Sequence, residues 1–246
     1  MLATRYLNAI HDLLNSIERE QVANIEKAGR MIADCWESGG SVFITEMGHG
    51  TASEMTNRAG GLMSLRRFHF GMNLDNGIAE CMQNRPRPEP IEPDLEHIRC
   101  AVRTSQLRAG DVVLVGSVSG RNRMPIELAI QCREIGAKVI VLTALRYTAN
   151  VTSAHPSGKK LADVGDLVID ICAPYGDASQ KVEGLAVKAL PVSGIGFIAC
   201  LWAICGEAIE AMLAKGLTPH VYMSHNREGG PEFNEKSLAE YNKVGY

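Results

Sequence analysis

A chain of 246 residues, 46% hydrophobic and 22% charged, is long enough to bury a full core as one large domain or two small ones. A net charge of −3 excludes the strongly basic surface of a nucleic-acid binder or a polybasic membrane contact, so neither nucleic acid nor membrane is expected as a partner. Seven scattered cysteines without a C-x-x-C read as free thiols, Cys132, Cys172, Cys200 and Cys205 among apolar neighbours, and argue against structural zinc.

Met1–Asp12 is mixed polar and lacks the apolar core of a signal peptide, so a cytoplasmic location is expected. Apolar residues then recur at three and four positions through Tyr6, Ile10, Leu13, Ile17, Ile25, Ile32 and Trp36, making Thr4–Trp36 one long amphipathic helix or two. Gly39-Gly40 ends it. Ser41–Thr45 reads as a strand, followed by Gly48-His49-Gly50-Thr51 and a helix through Arg58 capped by Gly60-Gly61. Leu65–Phe70 suits a second strand. Asn84–Pro93, with four prolines, is a loop. Leu95–Leu107 is helical, Asp111–Gly116 a buried strand, Met124–Ile135 a helix and Lys138–Thr143 another strand. Leu161–Val164 closes a short helix, and Leu167–Ile171 is a further strand. Val192–Cys205 is 14 residues of mostly apolar chain interrupted by Gly194 and Gly196, which suits a buried helix continuing to Lys215. Residues 216–246 form a polar tail with a final helix near Glu235–Tyr241. Strands alternating with helices predict an α/β fold with a doubly wound, mainly parallel sheet, whose ligands bind at the carboxyl ends of the strands.

The most informative stretch is Ser117-Val118-Ser119-Gly120-Arg121-Asn122, between a strand and a helix. Such a bend presents free backbone N–H groups at the positive end of a helix dipole. Two serine hydroxyls and an Asn amide complete a cradle for a phosphate or another small anion. A Ser/Asn-rich cap that merely starts the helix is the alternative.

Gly-x-Gly-Thr after the first strand, Ser-x-Ser-Gly-x-Asn after a central one and Leu142-Thr143 ending the next resemble the sugar isomerase (SIS) fold. Phosphoheptose isomerases, the isomerase domain of glucosamine-6-phosphate synthase and N-acetylmuramic acid 6-phosphate etherases share that fold. Arg58-Ala-Gly-Gly, Ser119-Gly-Arg-Asn, His155-Pro-Ser-Gly-Lys-Lys and Ala173-Pro-Tyr-Gly-Asp resemble a bacterial branch named for phosphoheptose or phosphosugar isomerases. The likeness implies a single SIS domain over residues 1–246, with residues 1–38 an N-terminal helical segment. It implies a phosphorylated sugar as substrate, no cofactor and no metal. Phosphate binding then falls to Gly50, Thr51, Ser117, Ser119, Gly120, Asn122 and Thr143, with Asn122 where the family carries Thr, and Ala52 or Ser53 where it carries Ser. SIS members also serve as ligand-sensing regulators, so a sensor without turnover and a phosphosugar lyase or etherase stay open.

Aldose–ketose conversion moves a proton from C2 to C1 through an enediol, which a carboxylate beside those carbons performs. In phosphoheptose isomerases that base is a Glu four residues before an Arg, a spacing matched by Glu54 and Arg58, though about two turns closer to the loop. The plain alternative is a solvated Glu54–Arg58 pair. Those enzymes place an acid His in the final long helix, where this chain has none; the remaining candidates are His49, best placed by sequence, and His155, His220 or His225.

Lys159 and Lys160 would stand in the first turn of a helix begun by Pro156-Ser157, an unfavourable place for cations that an anionic ligand, or a carboxylate from elsewhere, would reverse; a water-screened surface pair is the alternative. Asp177 follows the last strand at the ligand edge, as a substrate contact or as turn chemistry. The long N-terminal helix and the apolar 192–205 helix expose more apolar surface than one sheet face covers, so a homodimer or homotetramer is expected.

Overall fold

The computed structural model describes residues 1–47, 51–86 and 91–246. Gly48, His49 and Gly50, named above in the loop after the first strand, lie outside the described residues. The periodic N-terminal segment is one helix, α1 (Leu2–Glu37), with Ile10, Leu13, Ile17, Ile25, Ile32 and Trp36 on its buried stripe. Five strands follow: β1 (Val42–Thr45), β2 (Leu65–Phe68), β3 (Val112–Gly116), β4 (Lys138–Thr143) and β5 (Leu167–Asp170). They form one parallel sheet in the order β2-β1-β3-β4-β5.

Alternation along the strands sorts their side chains onto two faces. Val42, Ile44, Val112, Leu114, Ile140, Leu142 and Ile169 pack with α1 and with α6 (Ser193–Ala214). Val113, Val115, Val139 and Val141 pack with α3 (Pro93–Thr104) and α4 (Arg123–Glu134). Both faces are covered, which is why the strands read as unbroken apolar runs. The crossing of α1 and α6 is close: a Cβ on Gly29 would lie 2.4 Å from Glu207 Cβ.

α6 runs for 22 residues and is long and apolar enough to cross a bilayer by length and composition. Here Phe197, Cys200, Leu201, Ile204, Ala208 and Met212 are buried against α1 and the sheet. Four thiols (Cys35, Cys132, Cys200 and Cys205) are buried and Cys172 is half-buried; burial pushes each of these five up to about 12.

Several elements differ from the sequence expectation. The helix after β1, α2 (Ala52–Met55), is a single turn instead of reaching Arg58, because Thr56 is extended and Asn57 takes φ +56°. The lysine segment is not a helical first turn. Residues His155–Gly158 form a turn with Gly158 at φ +71°, and Lys160 precedes a 3-10 turn over Leu161–Val164. Asp163 Oδ2 accepts the Lys160 N–H at 2.7 Å, so an acidic group already faces the N-terminal end of that turn. A one-turn α5 (Leu145–Thr148) and an antiparallel pair, β6 (Ala178–Gln180) with β7 (Ala189–Pro191), have too few residues for any periodicity to announce them. The final helix α7 (Gly230–Val244) is twice the expected length; Pro231 stands in its first turn.

Candidate functional site

In this strand order the chain reverses direction between β1 and β3, and in open α/β sheets ligands bind beside such a switch point, at the carboxyl ends of the strands. The 117–122 bend leaves β3 there, and residues 46–51 leave β1.

The bend is built from its carbonyls. The Leu161 N–H donates to Gly120 O at 2.8 Å and the Ala154 N–H to Arg121 O at 2.9 Å. Thr143 Oγ1 donates to Ser117 O at 2.7 Å and Thr148 Oγ1 to Ser119 O at 3.1 Å. In a planar trans peptide the N–H points opposite its C=O. Pulling the Gly120 and Arg121 carbonyls toward the 154–161 segment therefore turns the Arg121 and Asn122 N–H groups the other way. Among the described residues, the N–H groups of Val118, Ser119, Arg121 and Asn122 have no hydrogen-bond acceptor. The hydroxyls of Ser117 and Ser119 likewise bond to none of them. Gly120 is required: at φ +63°, a Cβ would sit 2.9 Å from Thr148 Oγ1 and 3.0 Å from Thr143 Oγ1. Asn122 occupies the N-cap position of α4, but its side chain makes no capping bond and is exposed.

The residues assigned to phosphate differ in burial, and Ser117 is only 1% exposed. Thr143 is fully buried, and its hydroxyl is spent on Ser117 O, Val118 O at 3.2 Å and Thr148 Oγ1 at 3.1 Å. It shapes the bend from behind. Thr51 is 7% exposed, stands at the N-cap of α2, and leaves its hydroxyl unbonded among the described residues.

Glu54 accepts a hydrogen bond from Arg58 Nη2 at 2.7 Å in a largely solvated pair. It stands one short turn beyond the β1 loop, at the strand edge that carries the bend. Sequence reading missed Glu46, directly after β1, which pairs with Arg67 at the end of β2. A cavity of about 350 Å³ lined by Thr45, Glu46, Phe68, His69 and Met124 opens beside it. The hydrogen-bonded register of β1 with β2, which pairs Thr45 with Phe68, puts Glu46 beside His69.

The remaining candidates separate. His155 is buried: Nε2 lies 2.8 Å from Glu127 Oε2 and Nδ1 2.8 Å from Ser157 Oγ. Glu127 Oε1 in turn accepts from Arg99 Nε at 2.6 Å. Burial opposes ionisation of Glu127, but the bonds from Arg99 and His155 outweigh it and hold its carboxyl below the usual carboxylate range. Lys159 is exposed, whereas Lys160 Nζ donates to Thr148 O at 2.6 Å. Asp177 serves the fold: its carboxylate accepts from the Val192 N–H at 3.1 Å, the Ser193 N–H at 2.8 Å and Ser193 Oγ at 2.7 Å, capping α6. His220 Nδ1 bonds to Tyr246 O. His225 lies with Arg58, Asn57, Tyr222 and Ser224 around a polar cleft of about 470 Å³, where tail residues 220–222 pair with 60–63. A cavity of about 520 Å³ between Met31, Cys35, Gly110 and Lys138 lies at the opposite, amino edge of the strands. Among the described residues no three His, Cys, Asp or Glu side chains group to hold a metal ion.

Residues 5–144 match the SIS domain family. A UPF0309 protein of Listeria innocua is 34% identical over 245 residues, covering 98% of this chain and 96% of its own. A UPF0309 protein of Caldanaerobacter subterraneus is 34% identical over 244 residues, covering 97% and 96%. The solved phosphoheptose isomerase of Neisseria gonorrhoeae superposes with a TM-score of 0.53 at 18% identity, over 84% of this chain and 97% of that one. That of Francisella tularensis gives 0.54 at 14% identity, over 85% and 96%. These two superpositions speak to the fold, and the sequence match goes further: the chain belongs to the SIS domain family.

Proposed function

We propose that this chain binds a phosphorylated sugar at the 117–122 bend and interconverts its aldose and ketose forms. The supporting observation is the set of N–H groups at Val118, Ser119, Arg121 and Asn122 that no described residue accepts, next to the unbonded hydroxyls of the half-buried Ser119 and of Ser117, which is 1% exposed. Four amides and two hydroxyls at the start of a 12-residue helix form a donor-rich cradle, and a phosphoryl group supplies three acceptor oxygens. With the phosphate held there, Glu54 is the carboxylate from the adjacent strand's loop. It takes the proton from C2, the electron pair forms the enediol, and the Glu54 carboxyl, whose proton exchanges with solvent at that stage, returns a proton to C1. Arg58 holds the Glu54 carboxylate in place through their 2.7 Å bond. Thr51 adds a hydroxyl from the same loop. His49 is the proposed acid that moves the hydroxyl proton. A homodimer or homotetramer is proposed from the exposed apolar residues Leu7, Leu14 and Val22 along α1.

A second reading is a sugar-phosphate sensor without turnover. It is favoured by the solvated Glu54–Arg58 pair and by the engagement of His155 and His220 in other bonds. A lyase or etherase would remove the same C2 proton and then eliminate. Incubation with a panel of phosphorylated aldoses and ketoses in deuterated water separates these readings. An isomerase places deuterium at C1 or C2 of recovered sugar, and Glu54→Gln abolishes the label while keeping phosphate affinity. A lyase releases the C3 substituent. Binding with no label in any sugar assigns the sensor, and failure of inorganic phosphate and every sugar phosphate to bind overturns the whole reading.

A further inference from the structure

The proposed anion cradle has its shape imposed from outside, by a strap over residues 152–161. Leu161 and Ala154 donate to the Gly120 and Arg121 carbonyls, and Arg121 Nε donates to Thr152 O at 3.1 Å. Within the strap, Ser153 Oγ donates to Lys159 O at 2.6 Å and accepts the His155 N–H at 3.0 Å. What fixes the strap to the body of the protein is buried. His155 and Glu127 side chains are 5% and 2% exposed, and Glu127 is the fifth residue of α4, about one turn below the unpaired amides at its start.

We infer that the Arg99–Glu127–His155 chain is the positioning device for the bend, with His155 setting the direction of the Arg121 and Asn122 N–H groups through the strap. This rests on the bend being the anion site. The protonation pattern follows from one bond: the Ser157 backbone N–H donates to His155 Nδ1 at 3.1 Å. Nδ1 therefore carries the lone pair, and the ring proton sits on Nε2, donating to Glu127 Oε2. Glu127 then accepts two donors, one on each oxygen, from Arg99 and His155. Only a carboxylate satisfies both at once. A Gln at 127 has one oxygen, and its NH₂ would face a donor whichever way it turned. Loss of the His155 bond leaves a buried carboxylate half-satisfied and frees the 152–158 half of the strap. The Ala154 bond to Arg121 O is then the first to go, and the Asn122 N–H in the same peptide loses its orientation.

The test compares His155→Leu with His155→Gln, whose amide N–H₂ can still reach Glu127. Inorganic phosphate affinity by calorimetry and amide exchange of Ala154 and Leu161 by NMR are the readouts. His155→Leu is expected to weaken phosphate binding about ten-fold and speed exchange at both amides, with β3 and β4 amides unchanged. His155→Gln is expected to restore most of both. Wild-type-like affinity and exchange in His155→Leu overturn the inference, as does a Gln variant no better than Leu. If His155→Leu does not fold, the ¹⁵N shifts of wild-type His155 decide: Nδ1 must be the unprotonated nitrogen, and a protonated Nδ1 overturns the inference. The expected tautomer in wild type and faster Ala154 and Leu161 exchange in His155→Leu, with no phosphate binding by wild type, support the positioning device and refute the anion site.

Discussion

Gly120→Ala probes the bend with a perturbation whose size follows from the coordinates. Holding an L-residue at φ +63° costs roughly 1–2 kcal/mol. The new methyl also meets two hydroxyl oxygens at 2.9 and 3.0 Å, and both are committed to carbonyls of the bend, so neither Thr148 nor Thr143 turns aside without losing a bond. Overpacking of that kind adds about 1–3 kcal/mol. Stiffening the unfolded chain returns about 0.4–1 kcal/mol. The expected net loss is about 1–5 kcal/mol, read from urea midpoints at constant m. Gly39→Ala is the matched control: Gly39 has φ +77° at the end of α1, and its added Cβ meets nothing within 4 Å. It bears only the backbone cost. The difference between the two variants, about 1–3 kcal/mol, isolates the packing of the bend on Thr143 and Thr148. Equal losses would show that those hydroxyls do not define the bend. Unaltered phosphate affinity in Gly120→Ala would refute the cradle geometry itself.

Three further outcomes are expected. Because the Glu127 carboxyl is held below its ordinary range, the unfolded chain binds more protons between the two values. Its contribution is therefore complete only above the ordinary Glu value, at roughly pH 5.5 and higher, and is lost as pH falls through the lowered folded value; Glu127→Gln should flatten that acid limb of stability, and an unchanged limb counts against the pairing with Arg99 and His155. Asp177→Ala removes three bonds from the start of α6 and should cost about 1–3 kcal/mol in urea while leaving phosphate affinity intact; lost affinity with preserved stability would return Asp177 to the ligand site. Gly29→Leu should separate α1 from α6 and destabilise by several kcal/mol, at least 3 or so, and a variant as stable as wild type would contradict the 2.4 Å approach.

Much of the architecture was written locally. Val112–Gly116 and Lys138–Thr143 announce buried strands because both of their faces are covered, so no polar residue interrupts them. The stripe from Ile10 to Trp36 announces a single helix by its spacing. The place of the bend was legible for a related reason, since Ser117, Ser119, Gly120 and Asn122 fall together where a buried strand gives way to a helix. The short pair β6 and β7 carried no such signal, because three residues cannot display a period.

The site divides along the same line. Sequence alone determined that residues 117–122 follow a central strand and open a helix, because that follows from chain order and backbone chemistry. Only tertiary structure decided which side chains are free. Thr143, Asp177 and His155 look like ligand groups when read along the chain, yet each is consumed by a partner 16 to 28 positions away: Ser117 O, Ser193 and Glu127. A polar side chain that must be buried takes whatever partner the fold brings to it, and sequence spacing holds no record of that encounter.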